Sequence, residues 1–384
     1  MDKPLHIAIV GFGAAAQAFI PAIQANPSFH LAAVVEPHPE VQNTARLLGV
    51  PVFQEIADLK QLLNLDGVYL ATPTPLHSEQ AIACLENGWH VLVEKPMACN
   101  LSEAQAMVDA SRKNNRHLTV GHSHSFDAPV QAMRQIIQRG EIGTVTMVNN
   151  WCFTDWVYRP RRPEELDSEL GGGVLLRQGA HQIDILRALC WSEVKTVKAK
   201  IFNTDPKRNT LGAHAIYLDF ENGAAATAIY NGYGGMSSMD LTQNISEWGF
   251  EQPTQTRQWF TANQAPQSVA QELAAKQKRA LHAIPATAPF QPHFGLTVVS
   301  GSLGDIRQTP QGLLVCNAAG STEIQLPSDQ SPRDLVLVEL EQTWRGMSTQ
   351  WHSGHWGLEN LRICEAAMAS ATTGREVILF NENA

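Results

Sequence analysis

The chain has 384 residues, enough for two well-cored domains. Its 44 per cent apolar and 17 per cent charged content is that of an ordinary globular protein, and its net charge of −9 with no basic block argues against nucleic acid or an anionic membrane as partner. Met1 leads almost at once into an apolar strand, no apolar run reaches membrane-spanning length, and the six cysteines form no C-x-x-C pair. Reduced thiols, a cytoplasmic location and no metal site are therefore expected.

In chain order, residues 5–10 read as a buried strand and 14–25 as a helix. Between them lies the glycine turn of Gly11, Phe12, Gly13, Ala14, Ala15 and Ala16. Gly11 permits a tight turn, Gly13 allows the backbone to approach a pyrophosphate, and small Ala16 lets the helix pack closely. Such a turn can also be purely structural, but one that follows a strand and opens a helix points to a dinucleotide. The next strand, 31–36, ends in Glu36, where a carboxylate would hydrogen-bond the adenosine ribose and repel a 2′-phosphate. NAD is therefore expected rather than NADP, with a solvent-facing strand-end acid as the alternative.

Pro39 suits a helix start and Gly49 a helix stop. A third strand, 67–71, leads into the loop Thr72, Pro73, Thr74, Pro75 and His77. Thr72, Pro73 and His77 are candidates for the nicotinamide end of the cofactor, although His77 could simply open the helix that ends at Gly88. The strand 90–94 then ends in Glu94, Lys95 and Pro96. A lysine at the end of a parallel strand faces the crevice in which open α/β sheets bind ligands, so Lys95 can touch cofactor and exchange a proton with substrate. A capping box at Ser102 and Gln105 opens a helix to about 115, and 117–121 closes the series. Alternating strands and helices predict a doubly wound parallel sheet over 1–122.

Beyond Gly121 the pattern changes. A helix over 128–140 precedes β-type segments at 144–153, 194–202, 213–220, 224–230, 312–316 and 322–326, with a hairpin signal at Glu221, Asn222 and Gly223. Residues 123–384 are expected to form an α+β domain on a large, mostly antiparallel open sheet. Its densest motif runs from Gly171 to Asp184. A helix starting near Gln178 or Gly179 would place His181 and Asp184 on one face. The pair could be structural, or could work on substrate. Residues 249–291 read as an insertion with a charged helix over 268–279 and a proline-bearing loop over 285–292.

These motifs, in order and spacing, resemble the Gfo/Idh/MocA oxidoreductases. They are Gly11-x-Gly13-x-x-Ala16, Thr72-Pro73 with His77, Glu94-Lys95-Pro96, and Gly171-Gly172-Gly173 with His181-x-x-Asp184. The resemblance extends to Thr373–Val377 near the C-terminus. It implies a Rossmann domain that binds NAD, and a second domain whose open sheet mediates a homodimer or homotetramer. It also implies a cis peptide before Pro96 that turns Lys95 toward the nicotinamide.

Oxidising a carbinol removes a hydride from carbon and a proton from oxygen, so a base is needed at the hydroxyl. A lysine amine is a poor base at neutral pH unless its pKa falls. A cationic nicotinamide roughly 6 Å away, at an effective dielectric near 20, contributes about 2.8 kcal/mol, or about two pKa units. His181 is the expected second partner, with Asp184 fixing its tautomer.

One position departs from the resemblance. Cyclitol and sugar dehydrogenases of the family commonly carry Asp four residues before the histidine, and this chain has Arg177. An arginine suits a carboxylate, unless it is tied to Asp184 or Glu169. Arg159, His122 and His124 are further substrate-binding candidates. Arg159, Arg161, the stretch from Gly173 to Gln182, Asn231–Gly234 and Phe294–Ser300 narrow the resemblance to the family's phthalate 4,5-cis-dihydrodiol dehydrogenases. That implies a small anionic substrate, a carboxylated cis-dihydrodiol oxidised to a catechol. A sugar-acid or cyclitol dehydrogenase and a non-catalytic NAD-binding regulator stand as alternatives.

Overall fold

The structure, a computed structural model, describes residues 3–256, 268–280, 288–347 and 351–379. Its first part runs β1 (Leu5–Val10), α1 (Ala14–Ala25), β2 (Phe29–Val35), α2 (Pro39–Ala45), β3 (Val52–Phe53), β4 (Gly67–Leu70), α3 (His77–Glu86), β5 (His90–Val93), α4 (Leu101–Asn114) and β6 (Leu118–Val120). All neighbours are parallel, in the order β3-β2-β1-β4-β5-β6. Strands covered on both faces read as continuous apolar runs, and β4 and β6 are buried along their whole length. The strand order reverses between β1 and β4, so the loops after these two strands flank the ligand crevice. The cap of α4 lies two residues before the expected Ser102: the Asn100 side chain accepts from the Glu103 N–H.

The second part comprises α5 (Ala128–Gln138), β7 (Val145–Phe153), α6 (Pro163–Leu166), α7 (Ala180–Cys190), β8 (Val194–Phe202), β9 (Ala213–Phe220), β10 (Ala225–Asn231), α8 (Val269–Ala280), β11 (Leu296–Gly301), β12 (Gly304–Thr309), β13 (Gly312–Asn317), β14 (Gly320–Gln325), α9 (Pro332–Trp344), α10 (Gly354–Thr373) and β15 (Val377–Ile378). Nine strands form one sheet, β14-β13-β12-β11-β7-β10-β9-β8-β15, antiparallel throughout except between β7 and β10. One face is covered by α5, α7 and α10. The other carries Met147, Trp151 and Tyr217 as exposed side chains.

Two helices tie the halves together. From α9, Val336, Leu337, Leu340 and Trp344 join the apolar cluster of Ile7, Phe19, Ile23 and Leu31 on the first sheet. Helix α10 packs against α4 and β6 as well as β8. The expected division near residue 122 separates the two sheets, while α9 crosses back over it. The expected insertion helix is present as α8, which touches α1. Residues 257–267 and 281–287 of the insertion, including part of the expected loop at 285–292, lie outside the described residues.

Candidate active site

The glycine turn lies where the strand order reverses. Gly11 has φ +85°, and a Cβ there would stand 3.0 Å from the Ala71 carbonyl oxygen and from the Thr72 methyl. Only glycine lets the β1–α1 turn lie this close to the β4 loop. Helix α1 begins after Gly13 with no side-chain cap, so the first-turn N–H groups, starting at Ala14 and Ala15, are offered to a ligand. Glu36 braces the turn. Its Oε2 accepts from the Phe12 N–H and its Oε1 from the His38 N–H, both at 3.0 Å.

A cavity of about 520 Å³ runs from Gly13, Ala14 and Ala15 past Thr72, Pro73 and His77 to Glu94, Lys95, His124, Arg159, Arg177 and His181. The Lys95–Pro96 peptide is cis. Lys95 Nζ donates to the Arg177 carbonyl oxygen at 2.9 Å. Burial and the Arg177 guanidinium lower the amine from 10.5 to about 8, against the opposing pull of Glu94 and Glu247. Glu94 is itself held by the Tyr69 hydroxyl at 2.6 Å.

The Arg177 carbonyl belongs to a π-helical stretch, Leu175–Gly179, that opens α7 earlier than expected. Single wide turns of this kind recur at functional sites. The glycine run before it serves packing. A Cβ on Gly172 would lie 2.5 Å from the Glu164 carbonyl oxygen and 2.6 Å from that of Asp167, so this strand of backbone lies against the α6 segment.

His181 lies in the cavity wall, 3% exposed, with its ring edge-on to His124 at 4.7 Å between centroids. Burial, Lys95 and the two neighbouring histidines keep it neutral, well below the usual imidazole value. Asp184 requires a correction, because it is not the partner of His181. Its Oδ1 accepts from Trp356 Nε1 at 2.6 Å and from the Asn360 amide at 3.3 Å, both on α10. His181 Nδ1 has no hydrogen-bond partner among the described residues. Helix α7 is buried on every side, so sharing a face does not pair two of its residues.

His122 is corrected as well. It does not line the cavity; its Nε2 meets the Asn360 amide at 3.1 Å, and burial lowers its pKa to about 4. His124 does face the cavity, held between Asp127 at 3.0 Å and Glu247 at 3.2 Å. Burial would lower its pKa, but the two carboxylates overcome this and raise it to about 9, so it is a cation at neutral pH. Burial would raise Glu247, but His124, Arg159 and Lys95 hold it down at about 2. His77 stands with Nε2 2.9 Å from the Thr72 carbonyl oxygen and Nδ1 3.0 Å from that of Pro96. It therefore joins the β4 loop to the Lys95 loop.

Arg177 is held by neither expected carboxylate. Its guanidinium reaches Glu165 at 3.2 Å and the Thr74 hydroxyl at 3.2 Å. Glu165 also takes Lys276 of α8 and lies 3.9 Å from Arg161. Burial would raise the Glu165 carboxyl, but these cations hold it below the usual carboxylate range. Arg162 pairs with Glu164 at 3.5 Å. Arg161, Arg162, Arg177 and Lys276 against Glu164 and Glu165 leave two positive charges on this wall. Arg159, paired with Asp155 at 2.5 Å, also lines the cavity. Glu165, Glu247 and Lys276 were missed as site residues. Glu247 lies in a loop without a motif, and Lys276 comes from the insertion.

The glycine cradle, the uncapped N-terminus of α1 and the amine facing the crevice fit a nicotinamide dinucleotide. Gly11, Phe12, Gly13, Ala14 and Ala15 would hold its phosphates, with Lys95 at its reactive end. The fold and site therefore define a nicotinamide-dependent oxidoreductase. Residues 5–122 match the model of the oxidoreductase family with an NAD-binding Rossmann fold, and 130–236 match the GFO/IDH/MocA C-terminal domain. The chain belongs to the Gfo/Idh/MocA family and uses NAD.

It is 32% identical, over 95% of its length and 94% of the relative's, to a 1-carboxy-3-chloro-3,4-dihydroxycyclo hexa-1,5-diene dehydrogenase of Comamonas testosteroni. A solved structure from Bordetella bronchiseptica RB50 superposes with a TM-score of 0.86 at 31% identity, covering 98% of this chain and 100% of that one. An Agrobacterium radiobacter oxidoreductase solved with NAD+, L-tartaric acid and magnesium shares the fold at 20% identity and a TM-score of 0.73, covering 97% and 98%.

Proposed function

We propose that the protein oxidises a ring-carboxylated cis-dihydrodiol, of the phthalate 4,5-cis-dihydrodiol type, to the corresponding catechol. The observation that carries this is one cavity holding a lysine amine near pKa 8, a neutral histidine and an excess of cationic side chains. Held at Gly11, Phe12, Gly13, Ala14 and Ala15, NAD would supply the acceptor for the hydride that leaves the carbinol carbon. Lys95 takes the hydroxyl proton, since an amine that titrates near the working pH is the better base. The Arg177 carbonyl oxygen accepts from the resulting ammonium. His181, held neutral, orients the hydroxyl by hydrogen bonding. Arg177, with Lys276 and Arg161 around Glu165, attracts the substrate carboxylate. Loss of two hydrogens from the diol leaves a hydroxydienone that tautomerises to the catechol, so diol and NAD give catechol, NADH and a proton.

The relative from Comamonas testosteroni, named for a carboxylated dihydroxycyclohexadiene, supports the same substrate class. Glu36, fixed beside the glycine turn, supports a preference for NAD over NADP. The uncovered sheet face bearing Met147, Trp151 and Tyr217 supports a homodimer or homotetramer assembled through it. Six free cysteines suit a reducing compartment such as the cytoplasm. No helix among the described residues is long and apolar enough to cross a membrane.

A substrate panel tests the reaction. NADH formation is followed with the 4,5-cis-dihydrodiol of phthalate, a galacturonate-type acid and a neutral cis-dihydrodiol. Turnover of the carboxylated diol well above the other two is the expected result. Turnover of the uronate alone would keep Lys95 and overturn the substrate.

A further inference from the structure

Beside the main cavity lies a second one of about 230 Å³. Arg159, Glu247 and Trp248 line both, so the two spaces adjoin across these three side chains. Phe294 forms part of its wall while stacking on His124 at 4.3 Å and lying 5.2 Å from the His181 ring. The side cavity therefore starts directly behind the groups placed around the reacting hydroxyl.

Its lining indicates what it would hold. Phe153, Met239, Ile245, Trp248 and Phe294 supply apolar surface. The polar groups between them already have partners in the protein. Ser238 Oγ accepts from the Phe153 N–H at 2.7 Å, and Ser237 Oγ from the Met239 N–H at 3.1 Å. Ser246 Oγ accepts from the Phe250 N–H at 3.2 Å, and His293 Nδ1 meets the Gln291 carbonyl oxygen at 2.8 Å. Asp155 holds Arg159, and Glu247 holds His124. An apolar occupant would thus leave these groups bonded as they are, avoiding the cost of stripping them.

Charge disfavours a second anionic group here: Asp155 and Glu247 are matched by Arg159 and the His124 cation, which leaves no surplus positive charge. The surplus cations, Arg161, Arg162, Arg177 and Lys276 around Glu164 and Glu165, line the main cavity and not this one. Size agrees too, since an apolar cavity of about 150 Å³ suffices for a benzene ring.

We propose that the side cavity is a substrate subsite for an uncharged, aryl-sized substituent on the ring, the carboxylate staying with the Arg177 wall. This rests on the carboxylated-ring reading above and extends it to rings that carry an aryl-sized substituent. The test is calorimetric binding of benzoate and the three biphenylcarboxylates to the NADH-loaded protein. At least one biphenyl acid should bind tenfold or more tightly than benzoate. Met239→Trp, which fills the cavity, should abolish that gain and leave benzoate unchanged; Met239→Ala should retain it.

No gain for any isomer, or a gain that survives Met239→Trp, overturns the subsite. The outcome does not depend on turnover. A gain erased by Met239→Trp in a protein inert toward dihydrodiols would keep the subsite and remove the dihydrodiol reading. Turnover of single-ring diols without a gain would do the reverse.

Discussion

Replacing Lys95 with methionine removes the amine while keeping a side chain of similar length in the cavity. Lys95 is lowered from 10.5 to about 8. At pH 7.5 an unperturbed amine would be neutral in roughly 0.1% of molecules, whereas one at pKa 8 is neutral in about a quarter. The environment of Lys95 thus raises the supply of base about 250-fold, equivalent to about 3 kcal/mol. Loss of a positioned base costs about 10²- to 10⁴-fold. Lys95→Met should therefore lower kcat by at least about 10²-fold, while the affinity for NADH, read by fluorescence, stays within a few-fold of wild type. The active form is the deprotonated one, so wild-type kcat should rise with pH through a limb at or below pH 8. A cationic nicotinamide moves that limb further down. The limb should be absent from the residual rate of Lys95→Met. Activity within tenfold of wild type, or an unchanged limb, would refute the assignment of Lys95 as the base.

The Glu247 carboxylate favours the charged amine, so Glu247→Gln should shift the Lys95 limb to lower pH; a shift to higher pH would contradict the electrostatics. Asp184→Ala removes a buried carboxylate that joins α7 to α10 and should cost about 3 kcal/mol in denaturant unfolding. Because Asp184 does not touch His181, the variant should keep the wild-type pH limb, and a displaced limb would reinstate the pairing. Arg177→Met should raise KM for a carboxylated diol about tenfold or more, with little change for a neutral diol, as expected for a lost charge-assisted contact. Equal effects would make Arg177 a structural tie to Glu165 and Thr74.

Most of the first sheet was legible because its signals are local. The buried run at Leu5–Val10 and the glycines at 11 and 13 mark one strand and one helix, and the structure places β1 and α1 at those residues. The two-residue edge strand β3 is too short to leave a pattern. In the second half, β8 and β9 have the expected bounds, since alternating burial on an open sheet shows in composition. Residues 294–300 carried a motif but were not read as strand β11. Helix α9 was missed for a physical reason. It contacts the first sheet's cluster through Val336, Leu337, Leu340 and Trp344, and its hydrophobic residues are not gathered into one clear stripe.

At the site, Lys95 at its strand end lines the same cavity as His124, Arg177 and His181. Partnerships across the fold were not legible. Asp184 finds Trp356, 172 positions away, and Arg177 finds Glu165 on the short helix α6. The wide helical turn that presents the Arg177 carbonyl to Lys95 has no local signature either.

The most direct measurement is product analysis of a ring-carboxylated cis-dihydrodiol incubated with the protein and NAD. One equivalent of the corresponding catechol for each equivalent of NADH is the predicted result. Recovery of the diol unchanged, by a protein that binds NAD and oxidises only a sugar acid or a neutral polyol, would contradict it.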